Sequence, residues 1–108
     1  MTTTRPGPHF EAEISFLSQK DGGRISPPRS GYRPQMEIGG ESTSCIFESS
    51  EVETFEAGKI YLLSGTLLFP DHYLHQLSSG DPVVLKEGSR RVAEGRIVRM
   101  LAEPSTRP

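Results

Sequence analysis

From Phe10 to Phe16 the chain alternates apolar and polar residues without a break (Phe10-Glu11-Ala12-Glu13-Ile14-Ser15-Phe16). Successive strand side chains point to opposite faces, so this period of two predicts a strand with one buried and one solvated face. Ser18 to Gly31 carries Gly22-Gly23, Pro27-Pro28 and Gly31 and reads as a long loop, because Gly and Pro remove helix and ladder geometry. A loop of that length in a small domain points to function or to an Ω-loop. Tyr32 to Ile38 predicts a weaker second strand, irregular or at an edge where Pro34 lacks an N–H. Gly39-Gly40 ends it, and Cys45 to Glu48 predicts a short third strand. Ile60 to Phe69 is apolar and β-rich enough for a central strand, with Gly65 as a bend or bulge and Pro70-Asp71 as the stop. His72 to Leu77 has room for one helical turn. Val83 to Lys86 and Val92 to Leu101 form a hairpin across Glu87-Gly88-Ser89-Arg90. The sum is an all-β chain of about six strands with no substantial helix. It is a small antiparallel barrel or sandwich, with closure favoured because it removes exposed edges.

Composition narrows this picture. The 108 residues suit one domain. Gly and Pro together number 20, which fits a loop-rich β protein. The domain is expected over 9–102, between polar flexible tails at 1–8 and 103–108. The start of the chain lacks the apolar run of a signal peptide, and no stretch approaches the roughly 18 apolar residues of a membrane span. A cytoplasmic location without membrane contact is therefore the expectation. The net charge of -2 sets up no global field for nucleic acid. Its distribution is uneven: six glutamates and no Lys or Arg fall between Glu37 and Ala57, whereas Lys86, Arg90, Arg91, Arg96 and Arg99 crowd the last hairpin. The sequence thus predicts an acidic patch and a basic patch.

Catalytic chemistry finds little support. Cys45 is the only cysteine and has no neighbouring base, so it reads as a structural thiol. His72 and His75 stand three apart beside Asp71, but no cysteine pair or second histidine pair completes a tetrahedral metal site. The histidines, His9 among them, are expected at the surface. There is no nucleophile elbow and no Gly-rich loop ending in Lys-Ser/Thr. The expectation is a non-enzyme that binds no metal, cofactor or nucleotide. Two basic glycine loops remain, Asp21-Gly22-Gly23-Arg24 and Glu87-Gly88-Ser89-Arg90-Arg91. Glycine admits close backbone approach, and the Arg fork matches phosphate.

The order of these pieces resembles one known family. The strand Phe10-Glu11-Ala12-Glu13-Ile14, the Leu17-Ser18 pair, the Asp21-Gly22-Gly23-Arg24 loop and the Gly31-Tyr32-Arg33-Pro34-Gln35 segment follow one another. Leu85-Lys86-Glu87-Gly88-Ser89-Arg90 and Val92-Ala93-Glu94-Gly95-Arg96-Ile97-Val98 close the set. From about His9 to Leu101 the chain is similar to the third, C-terminal domain of bacterial elongation factor Tu. The resemblance implies a six-stranded, antiparallel, Greek-key-like β-barrel. It also implies a surface that meets the T-stem backbone of tRNA and contacts protein partners of the full factor. Carried over by position, Arg24 would pair with phosphate, and Gln35 and the Glu87-Gly88 loop would meet the sugar edge; Arg90 adds charge beside them. The chain departs from the family where Gly39 replaces an arginine, Glu41 a threonine and Phe69 a basic residue. Each lost phosphate contact weakens RNA binding. The leading expectation is a non-catalytic module contacting tRNA or another structured RNA backbone. The alternative is a protein-interaction module in which RNA binding is lost, favoured by the acidic Glu37 to Glu56 stretch.

Overall fold

The computed structural model describes residues 7–101, so the tails expected at 1–8 and 103–108 lie outside the described residues except for Gly7 and Pro8. Six strands follow in chain order: β1 (Phe10–Phe16), β2 (Gln35–Ile38), β3 (Glu41–Glu48), β4 (Ile60–Leu67), β5 (Pro82–Glu87) and β6 (Arg90–Met100). Every pairing is antiparallel, and the order β1-β4-β3-β2-β5-β6 closes into a barrel. The consecutive β2, β3 and β4 lie side by side, and β1, joined to β2 by the long 17–34 connection, lies on the far side against β4. This is a Greek-key arrangement. One helical turn, α1 (Pro70–Tyr73), continues as a 3-10 turn at Leu74–Gln76. No helix among the described residues is long and apolar enough to cross a membrane.

The period-two pattern decides what faces inward. Phe10, Ala12, Ile14 and Phe16 of β1 are buried, while Glu11, Glu13 and Ser15 face outward. Met36, Phe47, Leu63, Leu85 and Ile97 bring the other strands into the same core. Phe16 and Phe55 stack at 5.3 Å between ring centroids, so the 49–59 connection also supplies a core residue.

Element boundaries differ from the sequence reading in several places. β5 runs on to Glu87 and β6 starts at Arg90, leaving Gly88-Ser89 alone as the turn. β2 begins at Gln35 rather than Tyr32, because Pro34 has no N–H for the ladder; Tyr32 makes an isolated bridge to Phe47. β3 begins at Glu41, four residues early, because Thr43 is buried in phase with Cys45 and Phe47. β4 ends at Leu67, and Phe69 stands outside the sheet.

Two residues take roles other than those expected. Gly65 is no bulge, since both ladders of β4 run through it in continuous register. A Cβ there would lie 2.3 Å from the Phe10 ring, so the missing side chain is what lets Phe10 fill the barrel. The bulges lie between Glu11 and Ala12 and between Leu85 and Lys86. His9, expected at the surface, is fully buried, and its Nδ1 accepts the Leu67 N–H at 3.0 Å. A side chain just before β1 thus supplies an acceptor at the last residue of β4, where the ladder runs out.

Candidate nucleic-acid interface

The 17–34 connection is tied down near its start. A 3-10 turn spans Gln19–Asp21, and the Gly23 N–H donates to the Ser18 carbonyl at 2.8 Å. Arg24 leaves this turn toward the β5–β6 hairpin. Its Nη1 donates to Glu87 Oε2 at 2.7 Å, and its Nε donates to the Ser26 carbonyl at 3.0 Å. Neither hydrogen bond uses Nη2, and the Tyr32 hydroxyl also acts on the guanidinium. The guanidinium lies 5.3 Å from the centroid of the Tyr32 ring, within cation–π range. The Tyr32 hydroxyl donates to the same Glu87 oxygen, and Arg90 pairs with the other, Oε1, at 3.5 Å. Gly88 opens the hairpin turn at φ 65°.

Electrostatics bind this cluster into a unit. Burial pushes the Glu87 pKa up, but the hydrogen bonds from Tyr32 and Arg24 outweigh it and hold the carboxyl below its ordinary value. Burial, then the hydrogen bond to Glu87, pushes the Tyr32 hydroxyl well above the ordinary tyrosine range. The hydrogen bond to Glu87 likewise raises Arg24. The cluster is therefore a carboxylate with two cations and a neutral phenol around it at neutral pH. It carries one net positive charge.

Four of the five residues singled out in the sequence (Arg24, Glu87, Gly88 and Arg90) come together here. Gln35 does not join them directly. It opens β2 opposite Lys86, the neighbour of Glu87, and lines a separate hollow of about 380 Å³ with Ser42, Ser44, Phe69, His72 and Tyr73. The substituted positions gather on that side. Phe69 is 60% exposed at the hollow, and Glu41 accepts the Tyr73 hydroxyl at 2.8 Å. Gly39 and Gly40 both have positive φ, 59° and 85°, as a two-residue type I′ turn requires, so this β2–β3 turn favours glycine over an arginine at 39. The sequence reading gives Tyr32 no role of its own. The signal available was an aromatic residue two positions before a proline that stops the ladder.

The predicted separation into acidic and basic patches occurs only in part: Glu48 and Glu51 of the acidic stretch form no ion pair among the described residues, while the basic hairpin is largely neutralised. Cross-strand pairing interleaves the charges: Arg99 meets Glu11 at 2.6 Å, Arg96 meets Glu13 at 3.5 Å, and Lys86 meets Glu37. Arg29 pairs with Glu53 and Arg91 with Glu94. Lys20 and Arg33 are exposed and form no ion pair among the described residues. Cys45 is buried, and burial pushes its thiol far up from the ordinary value. Among the described residues no group of three or more His, Cys, Asp or Glu is placed to hold a metal ion.

No protein-family model matches the sequence. The expected resemblance to the elongation-factor domain therefore rests on the reading of the sequence alone.

Proposed function

We propose that this chain is a non-catalytic binding module of the bacterial translation type, working in the cytoplasm, that contacts the backbone of tRNA or another structured RNA. The observation that carries this reading is the Arg24 cluster. Glu87, 63 positions away, and the nearby Ser26 carbonyl fix the guanidinium through two hydrogen bonds beside the Tyr32 ring, and Nη2 is the group that would meet a phosphate. A fixed fork loses less side-chain entropy on binding than a free one. Arg90 and the unpaired Arg33 and Lys20 add positive charge on the same connection and hairpin. Gln35, beside Lys86, takes the sugar edge.

The test is fluorescence anisotropy of labelled tRNA against the purified chain at two salt concentrations. Saturable binding that weakens with salt supports the reading. Arg24→Ala is expected to cost about 1–3 kcal/mol, the weight of one charge-assisted contact. Arg33→Ala, which breaks no ion pair among the described residues, is expected to weaken binding and reduce the salt slope by about one. Absence of binding at low salt sinks the proposal.

A protein partner is the second reading. The observation that favours it is the cross-strand pairing of Arg96, Arg99 and Lys86 with glutamates, which removes much of the positive field an RNA would meet.

A further inference from the structure

The barrel seam between β3 and β4 is only half closed. β3 ends at Glu48 opposite Ser64, although β4 begins four residues earlier at Ile60. On its other side β4 is paired from Ile60↔Ser15 to Gly65↔Phe10. Past Glu48 the chain turns away to join the long connection. The Ser30 N–H donates to the Glu53 carbonyl and the Phe55 N–H to the Pro28 carbonyl, both at 2.9 Å. Nothing among the described residues therefore lies alongside Ile60–Leu63 as a strand on this side.

The direction of the free backbone groups follows from the ladder. The Leu68 N–H donates to the Ser44 carbonyl at 3.2 Å, which makes Cys45↔Leu67 a non-hydrogen-bonded pair. Antiparallel alternation then makes Ile46↔Thr66 and Glu48↔Ser64 hydrogen-bonded pairs. In the same phase the N–H and C=O of Leu62 and Ile60 point past the end of β3. No strand, turn or side chain among the described residues takes them up.

The side chains at this edge are out of place for a solvated surface. Ile60 is 71% exposed, Leu62 57% and Val52 39%. With Glu11, Glu48 and Glu51 they line a groove of about 620 Å³ that no Lys or Arg enters. Glu11 is held by Arg99, but Glu48 and Glu51 form no ion pair among the described residues.

We propose that this groove docks an extended peptide segment of a partner protein, in which apolar residues alternate with lysine or arginine, as an added strand on β4. The free N–H and C=O groups of Ile60 and Leu62 supply main-chain hydrogen bonds for about three to four residues. Glu48 pairs with Ser64 and so shares the outward face of Ile60 and Leu62. The period of two therefore lays the cationic side chains on that face, their methylene stems over Ile60 and Leu62 and their heads toward Glu48 and Glu51, and turns the apolar side chains to the barrel side toward Tyr61. The same charges select against other occupants. Phosphate is repelled, so the groove is independent of the Arg24 cluster. A second copy docked edge to edge would set its glutamates against these.

The probe is a fluorescein-labelled Lys-Val-Lys-Val-Lys-Val peptide, titrated with the full chain by anisotropy. Saturable, salt-sensitive binding is expected, about tenfold tighter than that of the Lys-Ser peptide of equal charge. Methylating one alternate set of peptide amide nitrogens abolishes binding, and methylating the other set leaves it, because only one set faces β4. Leu62→Ser weakens binding about tenfold, and Glu48→Gln with Glu51→Gln does the same while flattening the salt dependence. The double variant carries the test if Leu62→Ser fails to fold by circular dichroism. Equal binding of the Lys-Ser peptide, indifference to N-methylation, or no binding overturns the proposal. So does a dimer in sedimentation that Leu62→Ser dissolves, which would make a second copy the occupant.

Discussion

Arg24 and Glu87 stand 63 positions apart and meet at 2.7 Å, pinning the long connection to the last hairpin. The pair is partly buried and shares its carboxylate oxygen with the Tyr32 hydroxyl. The connection is bonded to β6 at Leu17 and to β3 at Gly31, Tyr32 and Pro34, and the Arg24 pair ties down the stretch between, so its strength should be visible in folding as well as in binding.

Acid should weaken that attachment. The folded state holds the Glu87 carboxyl below its ordinary value of 4.5. A depressed carboxylate contributes stability that is fully present above the unfolded pKa and lost as the pH falls through the lower folded value. Urea titrations at neutral pH and at successive steps below 4.5 should show this loss. Glu87→Gln should be less stable than the parent at neutral pH, and the gap between the two should narrow in acid. A constant gap would disconnect Glu87 from the acid response.

Alkali should act through Tyr32 in the opposite sense. Burial and the bond to Glu87 raise its folded pKa above the ordinary 10, so stability is intact below 10 and lost as the pH climbs beyond it. Absorbance at the tyrosinate band should show three tyrosines titrating in the unfolded chain; in the folded protein Tyr73, bonded to Glu41, is delayed and Tyr32 lags as the last step. Tyr32→Phe should remove the lagging step. If the step survives in that variant, the hydroxyl is not held as described.

The strands of the barrel were legible where alternation is strong. β1 follows Phe10 to Phe16 residue for residue, because four inward and three outward side chains leave one solution. The count of about six strands comes from the alternating runs and the turns between them, and closure is favoured over a sandwich only by the argument from exposed edges. β3 reads short because Glu41 to Ser44 carries no apolar residue, and Thr43 is buried only through its neighbours across the barrel. The role of Gly65 was invisible, as it depends on a ring from β1 that arrives 55 positions away in sequence. At the candidate site, Arg24 and Glu87 stand out in the sequence as parts of separate loops. Their contact, and the part of Tyr32 in it, depend on how the connection folds over the hairpin. Charge runs mislead for a related reason: Arg96 and Arg99 look like a basic patch until β6 pairs with β1 and its glutamates.

Cys45 should be chemically silent until the barrel opens. It is fully buried, and burial holds the thiol in its protonated, non-nucleophilic form. A chromogenic disulfide reagent should label one thiol per chain at once in guanidinium and very slowly in native buffer. The native rate should rise with each destabilising variant, since labelling waits on opening of the β3–β4 seam. Fast labelling of the native protein would mean that this seam opens without global unfolding, and would place the weak point of the barrel next to the free edge of β4.

The packing of Phe10 against Gly65 gives the sharpest test of the barrel itself. A methyl group at 65 would meet the ring at 2.3 Å, and the ring also packs edge-on with Phe47, with centroids 6.0 Å apart. The ring cannot retreat without disturbing that edge-on pair. Gly65→Ala should therefore cost about 1–3 kcal/mol or more, although alanine is ordinarily the better residue within regular structure. Phe10→Leu, which removes the ring edge, should restore part of the loss. A double-mutant cycle by urea denaturation should then give a coupling of roughly 0.5–3 kcal/mol. Strict additivity would show that the penalty at 65 comes from the backbone rather than from the ring, and the Phe10 ring would no longer account for the glycine.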